Sequence, residues 1–175
     1  MRAPFLRQPA LPFRHPATLV STWFGAGLLP LAPGTWGSLA ALPFAWAMLA
    51  LGSPRVLFIA ALLAFFAGWW ATAHYMRYAR AKDPQEVVID EVSAQWLTLV
   101  FADPGVWWHW PLGFLLFRFF DIVKPWPVNL LDRQSSALAV MADDTVAALY
   151  ALVVFTVVVL FSPALLLARS LFGGS

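Results

Sequence analysis

The stretch DDTVAALYALVVFTVVVLFSPALLLA, Asp143 to Ala168, opens on two adjacent carboxylates and then runs to its end without another charged residue. As a helix rising about 1.5 Å per residue, it is long enough to cross roughly 30 Å of hydrocarbon. A carboxylate is costly in lipid, so an acidic pair at the border of such a run is expected to have a task there. Working outward, Val56 to Met76 forms a second charge-free run, and no Asp, Glu, Lys or Arg stands between Arg14 and Arg55. The 175 residues are 61% hydrophobic and 11% charged, against about 25% charged in ordinary soluble domains. The expected fold class is all-α, a polytopic membrane helical bundle of about four to five apolar helices including a short central hairpin.

Residues 1–24 read as a basic, Pro-rich amino-terminal arm, in which Pro4, Pro9, Pro12 and Pro16 interrupt any apolar core of a signal peptide and leave a flexible segment. Residues 25–170 read as one membrane-embedded domain and 171–175 as a short tail. Within the domain, helices are expected near Gly37–Leu51, Val56–Tyr75 and Ala142–Ala168. Two shorter charge-free stretches, Val92–Ala102 and Pro104–Phe117, flank the turn signal Asp103-Pro104-Gly105 and predict a helical hairpin. A polar, proline-containing loop follows from Lys124 to Ser136. With the amino terminus in the cytoplasm, this path places Arg2, Arg7, Arg14, Arg77, Arg80, Lys82, Arg118, Lys124 and Arg133 inside, leaving Arg55 and Arg169 outside, as the positive-inside rule favours. Trp107, Trp108 and Trp110 then fall near the outer interface. The same path gathers Asp90, Glu91, Asp121, Asp143 and Asp144 on the cytoplasmic face.

The chain has no cysteine, which removes thiolate ligands and a thiol nucleophile. Its basic residues form no aromatic-interleaved tract of the kind that binds nucleic acid. Each acid taken alone could cap a helix or complement its dipole. Three groups on one face, with Asp121 expected near a helix carboxyl end where the dipole disfavours it, point instead to a hard cation. Mg²⁺ takes oxygen ligands, commonly carboxylates plus substrate phosphate, and the expected set is Asp90, Glu91, Asp121 and Asp143, with Asp144 adjoining. Zinc is disfavoured because His15, His74 and His109 lack ligand spacing, and His74 reads as a packing or interfacial residue. Arg118, Asp121 and Lys124 recur every three residues along one helix face, offering cations for phosphate, with Arg133 a further candidate. The APGTWGS segment offers Gly34, Thr35 and Ser38 at a helix start suited to an anion, though it lacks the ending of a Walker loop.

In order along the chain, GAGLLPLAPGTWGSLAALP, DPQEVVIDEVSAQW, FRFFDIVKPWPVNLLDR and VMADDTVAALYA resemble the motifs of the phosphatidylglycerophosphatase A family. That resemblance covers roughly 25–151 and implies a helical, multi-pass phosphatase of the bacterial inner membrane with its active site facing the cytoplasm. It further implies Mg²⁺-dependent hydrolysis of phosphatidylglycerophosphate to phosphatidylglycerol and phosphate in phospholipid biosynthesis, with Asp90, Glu91, Asp121, Asp143 and Asp144 as catalytic acids. A CDP-alcohol phosphotransferase-like enzyme is the alternative enzyme reading, and its DGxxAR…GxxxDxxxD pattern is missing. A small membrane transporter is the non-enzymatic alternative, which would place its acids mid-membrane on long spans.

Overall fold

The structure, a computed structural model, describes residues 7–79, 84–131 and 136–172. In chain order the helices are α1 (Pro16–Ser21), α2 (Pro33–Leu51), α3 (Pro54–Met76), α4 (Ile89–Thr98), α5 (His109–Val123), α6 (Val128–Leu131) and α7 (Ala137–Phe172), with a 3₁₀ turn at Ala26–Leu28. Among the described residues every regular element is helical, and α2 to α5 with α7 are the five apolar helices expected. Pro33 and Pro54 open α2 and α3, where the missing N–H would have had no helical acceptor and the fixed φ already suits a helix.

Among the described residues, three helices are long and apolar enough to cross a membrane: Pro33–Leu51, Pro54–Met76 and Ala137–Ser162. Their outward faces are oily, with Phe58, Leu63 and Phe66 of α3 and Val153, Leu160 and Phe161 of α7 all exposed. The polar residues point inward instead, including the wholly buried Thr72, Gln95 and Thr98. An apolar outside with polar groups inside suits a hydrocarbon surround.

Helix α4 is the centre of the bundle. Its ten residues reach about 15 Å, half of a hydrocarbon core, and α2, α3 and α7 wrap it. Close approach depends on small residues, as expected where helices meet in lipid. A Cβ on Gly68 of α3 would come within 2.9 Å of Ile89 and Met141. Trp96 of α4 lies against α2 and donates its indole N–H to the Ala41 carbonyl at 2.9 Å.

The expected hairpin is present, and its depth can be measured. Trp46 donates to the Pro104 carbonyl at 3.2 Å, so the turn is level with Trp46, about 20 Å along α2 from Pro33 and short of the helix end at Leu51. The turn is braced by the Asp103 N–H, which donates to His109 Nδ1 at 2.9 Å, while the imidazole packs edge-on against Phe155 of α7.

Several boundaries differ from expectation. Helix α7 starts at Ala137 rather than Ala142, because Ser136 Oγ accepts from Ala139 N–H at 3.1 Å and caps the helix earlier. Helix α2 starts at Pro33 rather than Gly37, so APGTWGS is mostly the opening turns of a helix. Part of the Lys124–Ser136 loop is the short α6. The amino-terminal stretch is also more than a flexible arm from Arg7 onward. The Arg7 N–H donates to the Leu28 carbonyl at 2.8 Å. The Ala10 N–H donates to the Tyr75 hydroxyl at 2.8 Å, and that hydroxyl donates to Glu86 Oε1 at 3.0 Å. Ala17, Thr18 and Ser21 of α1 are buried, with α1 packed on α3. Prolines prevent a long helix here without preventing an extended strap from packing.

Gly68→Val should lower the melting temperature in detergent, corresponding to about 1–3 kcal/mol of overpacking. An unchanged melting temperature would contradict the tight α3–α4–α7 junction.

Candidate active site

The start of α4, the second turn of α7, the end of α5 and the start of α2 meet at one end of the bundle. Asp90 and Glu91 occupy the first turn of α4. Asp143 and Asp144 were expected in a corresponding first turn, but the earlier start of α7 places them beyond its free N–H groups. Capping therefore does not explain this second pair. Asp90, Asp143 and Asp144 are each 6–7% exposed, a depth at which carboxylates need partners.

One ligand atom from each of Asp90, Glu91 and Asp144 lies within 4.8 Å of the other two. Asp121 neighbours Glu91 and Asp144 and is ion-paired with Arg118 Nη1 at 2.7 Å. Asp143 faces Lys124, whose Nζ is 2.9 Å from Asp143 Oδ2. Neighbouring positions on a helix project about 100° apart, which is why Asp144 joins the three-carboxylate cluster while Asp143 meets the lysine. Lys124 itself sits at φ 47°, in the left-handed region, at a cost of roughly 1–2 kcal/mol for a side chain other than glycine. That conformation ends α5 and accompanies an ammonium aimed at α7.

Burial is the main reason Asp90 is held well above the ordinary carboxylate range, and the adjacent Glu91 charge adds to it. Glu91 is likewise raised by burial, with its hydrogen bond to Asp90 and the Arg118 charge pulling the other way and Asp121 pushing it up. Two oxygens in this crowd, Glu91 Oε2 and Asp144 Oδ2, are buried without a hydrogen-bond partner. Orphaned oxygens in a tight, like-charged cluster fit a hard divalent cation, which accepts oxygen ligands and cancels the repulsion.

Gly34 explains how α2 comes so close. A Cβ at this position would collide with the Glu91 carboxylate and lie 3.2 Å from Arg118 Nη1. A bare backbone therefore lies directly on the acidic and basic groups of the site, and the sequence signal for this was a glycine in a helix's first turn. Thr35 is half-buried beside it. Ser38 departs from the anion-binding expectation, because it is wholly buried and donates to the Gly34 carbonyl at 2.9 Å. Its hydroxyl ties down the helix turn instead. Arg133 lies outside the described residues. The histidines contribute no cluster: His15 stacks on His74 with ring centroids 5.2 Å apart, and His109 braces the hairpin turn.

Comparison with known proteins joins this geometry to a family. A family model described as phosphatidylglycerophosphatase A matches residues 19–159, a range containing all five carboxylates together with Gly34, Arg118 and Lys124. The chain is 36% identical over 142 residues to phosphatidylglycerophosphatase A of Haemophilus influenzae, covering 80% of this chain and 86% of that one. It is 34% identical over 139 residues to phosphatidylglycerophosphatase A of Escherichia coli, covering 78% and 80%. A Bacteroides thetaiotaomicron protein, provisionally named a phosphatidylinositol-3-phosphatase, is 36% identical over 151 residues, covering 79% and 91%. No solved structure matches the chain.

Crowded carboxylates also predict a stability effect that needs no substrate. In EDTA at pH 8, Asp144→Asn should melt no lower than the unsubstituted protein, because a neutral amide replaces a carboxyl that burial and its carboxylate neighbours disfavour. A lower melting temperature would contradict mutual repulsion there.

Proposed function

The chain belongs to the phosphatidylglycerophosphatase A family, and from that premise we propose that it hydrolyses the terminal phosphate monoester of phosphatidylglycerophosphate in a Mg²⁺-dependent step of phospholipid synthesis. The observation that carries this reading is the meeting of Asp90, Glu91 and Asp144, two of them with orphaned buried oxygens, beside the cations of Arg118 and Lys124. A phosphate monoester is a dianion near neutral pH, and it needs cationic partners of this kind. Carboxylates gathered at one end of the bundle also suit a lipid headgroup at the membrane rim better than an ion path through it.

In this account Asp90, Glu91 and Asp144 hold the ion, with Asp121 adjoining them. When bound, Mg²⁺ supplies Lewis-acid polarisation of the phosphoryl group and makes an attacking water more acidic. Arg118, oriented by its pairing with Asp121, faces the phosphoryl oxygens. Lys124, held near Asp143, offers a second positive charge. Gly34 allows the backbone at the start of α2 to border the same space without displacing Glu91. One carboxylate takes a proton from water as the water oxygen bonds to phosphorus, and the P–O bond to the glycerol oxygen breaks on the opposite side. The leaving oxygen takes up a proton, giving phosphatidylglycerol and inorganic phosphate.

The positive-inside bias supports an orientation with this end of the bundle at the cytoplasmic face of the bacterial inner membrane. There the acyl chains stay in the inner leaflet while only the headgroup enters the polar cluster. Phosphate monoester hydrolysis is among the slowest uncatalysed reactions, so charge stabilisation at the transition state has to supply much of the rate.

Purified protein should release phosphate from phosphatidylglycerophosphate with Mg²⁺ and lose that activity in EDTA, and it should prefer this lipid to phosphatidic acid and phosphatidylinositol 3-phosphate. Asp90→Asn should lower kcat by at least about a hundredfold while leaving the protein folded in detergent. Full turnover by the folded variant would remove Asp90 from the chemistry, and a preference for phosphatidylinositol 3-phosphate would overturn the substrate assignment.

A further inference from the structure

Gln95 is wholly buried, and neither its amide nitrogen nor its amide oxygen has a hydrogen-bond partner. Leaving such a group unbonded in an apolar interior is costly, and no step of the reaction described above uses it. Other polar groups of α4 are satisfied. Asp90 Oδ1 accepts from the Glu91 N–H at 3.0 Å, the Ser93 hydroxyl donates to the Asp90 carbonyl at 2.9 Å, the Thr98 hydroxyl donates to the Ala94 carbonyl at 3.0 Å, and the Trp96 indole N–H reaches Ala41. The exceptions on this helix are Gln95 and Glu91, whose Oε2 is also buried without a partner.

These two residues stand one turn apart. Four positions along α4 correspond to about 6 Å of rise and a net rotation of only about 40°, so both side chains lie on one face. Long side chains on a helix lean back over the preceding turn, which carries the Gln95 amide toward Glu91. At this spacing a glutamine amide and a side-chain acceptor are close enough to hydrogen-bond. The Thr72 hydroxyl of α3 is likewise buried and unpartnered, but α3 approaches α4 at Ile89 through Gly68, and that side lies about 120° round the helix from Gln95.

We propose that Gln95 is a positioning residue for Glu91. Its amide N–H donates to one oxygen of the carboxylate, directly or through one bridging water, and so turns the other oxygen toward the divalent cation shared with Asp90 and Asp144. This role rests on the cation site proposed above. An amide suits it, because it supplies a donor that the neighbouring carboxylates lack and adds no charge to a crowded cluster. One turn deeper in the bundle than Glu91, Gln95 touches neither the ion nor the substrate and acts through the carboxylate alone.

The test is Mn²⁺ affinity, read by electron paramagnetic resonance on purified protein in detergent. Gln95→Met keeps the length of the side chain and removes the donor, and Gln95→Leu is the second variant should the first fail to fold. Thr98→Val removes a different buried polar group from the same helix, outside the carboxylate cluster. Loss of a hydrogen bond that orients a metal ligand typically weakens metal binding about 10–100-fold. The Mn²⁺ dissociation constant should therefore rise at least about tenfold in Gln95→Met or Gln95→Leu and stay unchanged in Thr98→Val. Unchanged affinity in a folded Gln95 variant, or equal weakening in Thr98→Val, overturns the positioning role while leaving the cation site in place. Absence of Mg²⁺-displaceable Mn²⁺ in the unsubstituted protein overturns the cation site and the positioning role with it.

Discussion

Burying several carboxylates together inside an apolar bundle is the constraint on which the rest of this structure depends. Asp90, Glu91 and Asp144 place oxygens within 4.8 Å of one another, and the Asp90 and Asp144 side chains are buried. Such a cluster is self-repelling, and the surrounding bundle has to hold it together. Shared hydrogen bonding, the Arg118–Asp121 pair and the Lys124–Asp143 pair offset part of the repulsion. Glu91 Oε2 and Asp144 Oδ2 are buried without a hydrogen-bond partner, and the proposed divalent cation would supply one.

The bundle is arranged to make that burial possible. Helix α4 is too short to cross a membrane, yet α2, α3 and α7 enclose it, so its acidic first turn is presented at one end of the fold and shielded from lipid by protein. Its low-bulk contacts, Gly34 over Glu91 and Gly68 over Ile89, bring neighbouring backbones close enough for groups from four helices to share one space. The long apolar helices supply the lipid-facing exterior, and the hairpin turn pinned by Trp46 sets how far the central helices descend. An apolar scaffold and a polar site at its rim are what a reaction on a lipid headgroup requires.

Much of this was legible in the residues. The charge-free runs announced α3 and α7, and Asp103-Pro104-Gly105 announced the hairpin, because length and turn chemistry are local properties. The acidic blocks announced a site, since charge bordering hydrocarbon demands a reason. Register was harder to read. Whether Asp143 and Asp144 lie in the first turn of α7 or beyond its free N–H groups depends on where that helix begins, and Ser136 moved that start by more than a turn from the expected Ala142. The same difficulty affected Ser38, which looked available at a helix start and proved to be buried within one. Nor did composition reveal the docked amino-terminal strap, because the Ala10–Tyr75–Glu86 hydrogen bonds join residues far apart in the chain. Contacts of that kind depend on tertiary packing, which local patterning does not encode.

The proposed chemistry requires carboxylates from separate helices to share one divalent cation. Electron paramagnetic resonance of Mn²⁺ titrated into the purified protein in detergent tests it most directly. A shared cation site should give a bound Mn²⁺ population that Mg²⁺ displaces and that disappears in a folded Glu91→Gln variant. Binding of equal strength in that variant, or the absence of Mg²⁺-displaceable Mn²⁺ in the unsubstituted protein, would contradict it.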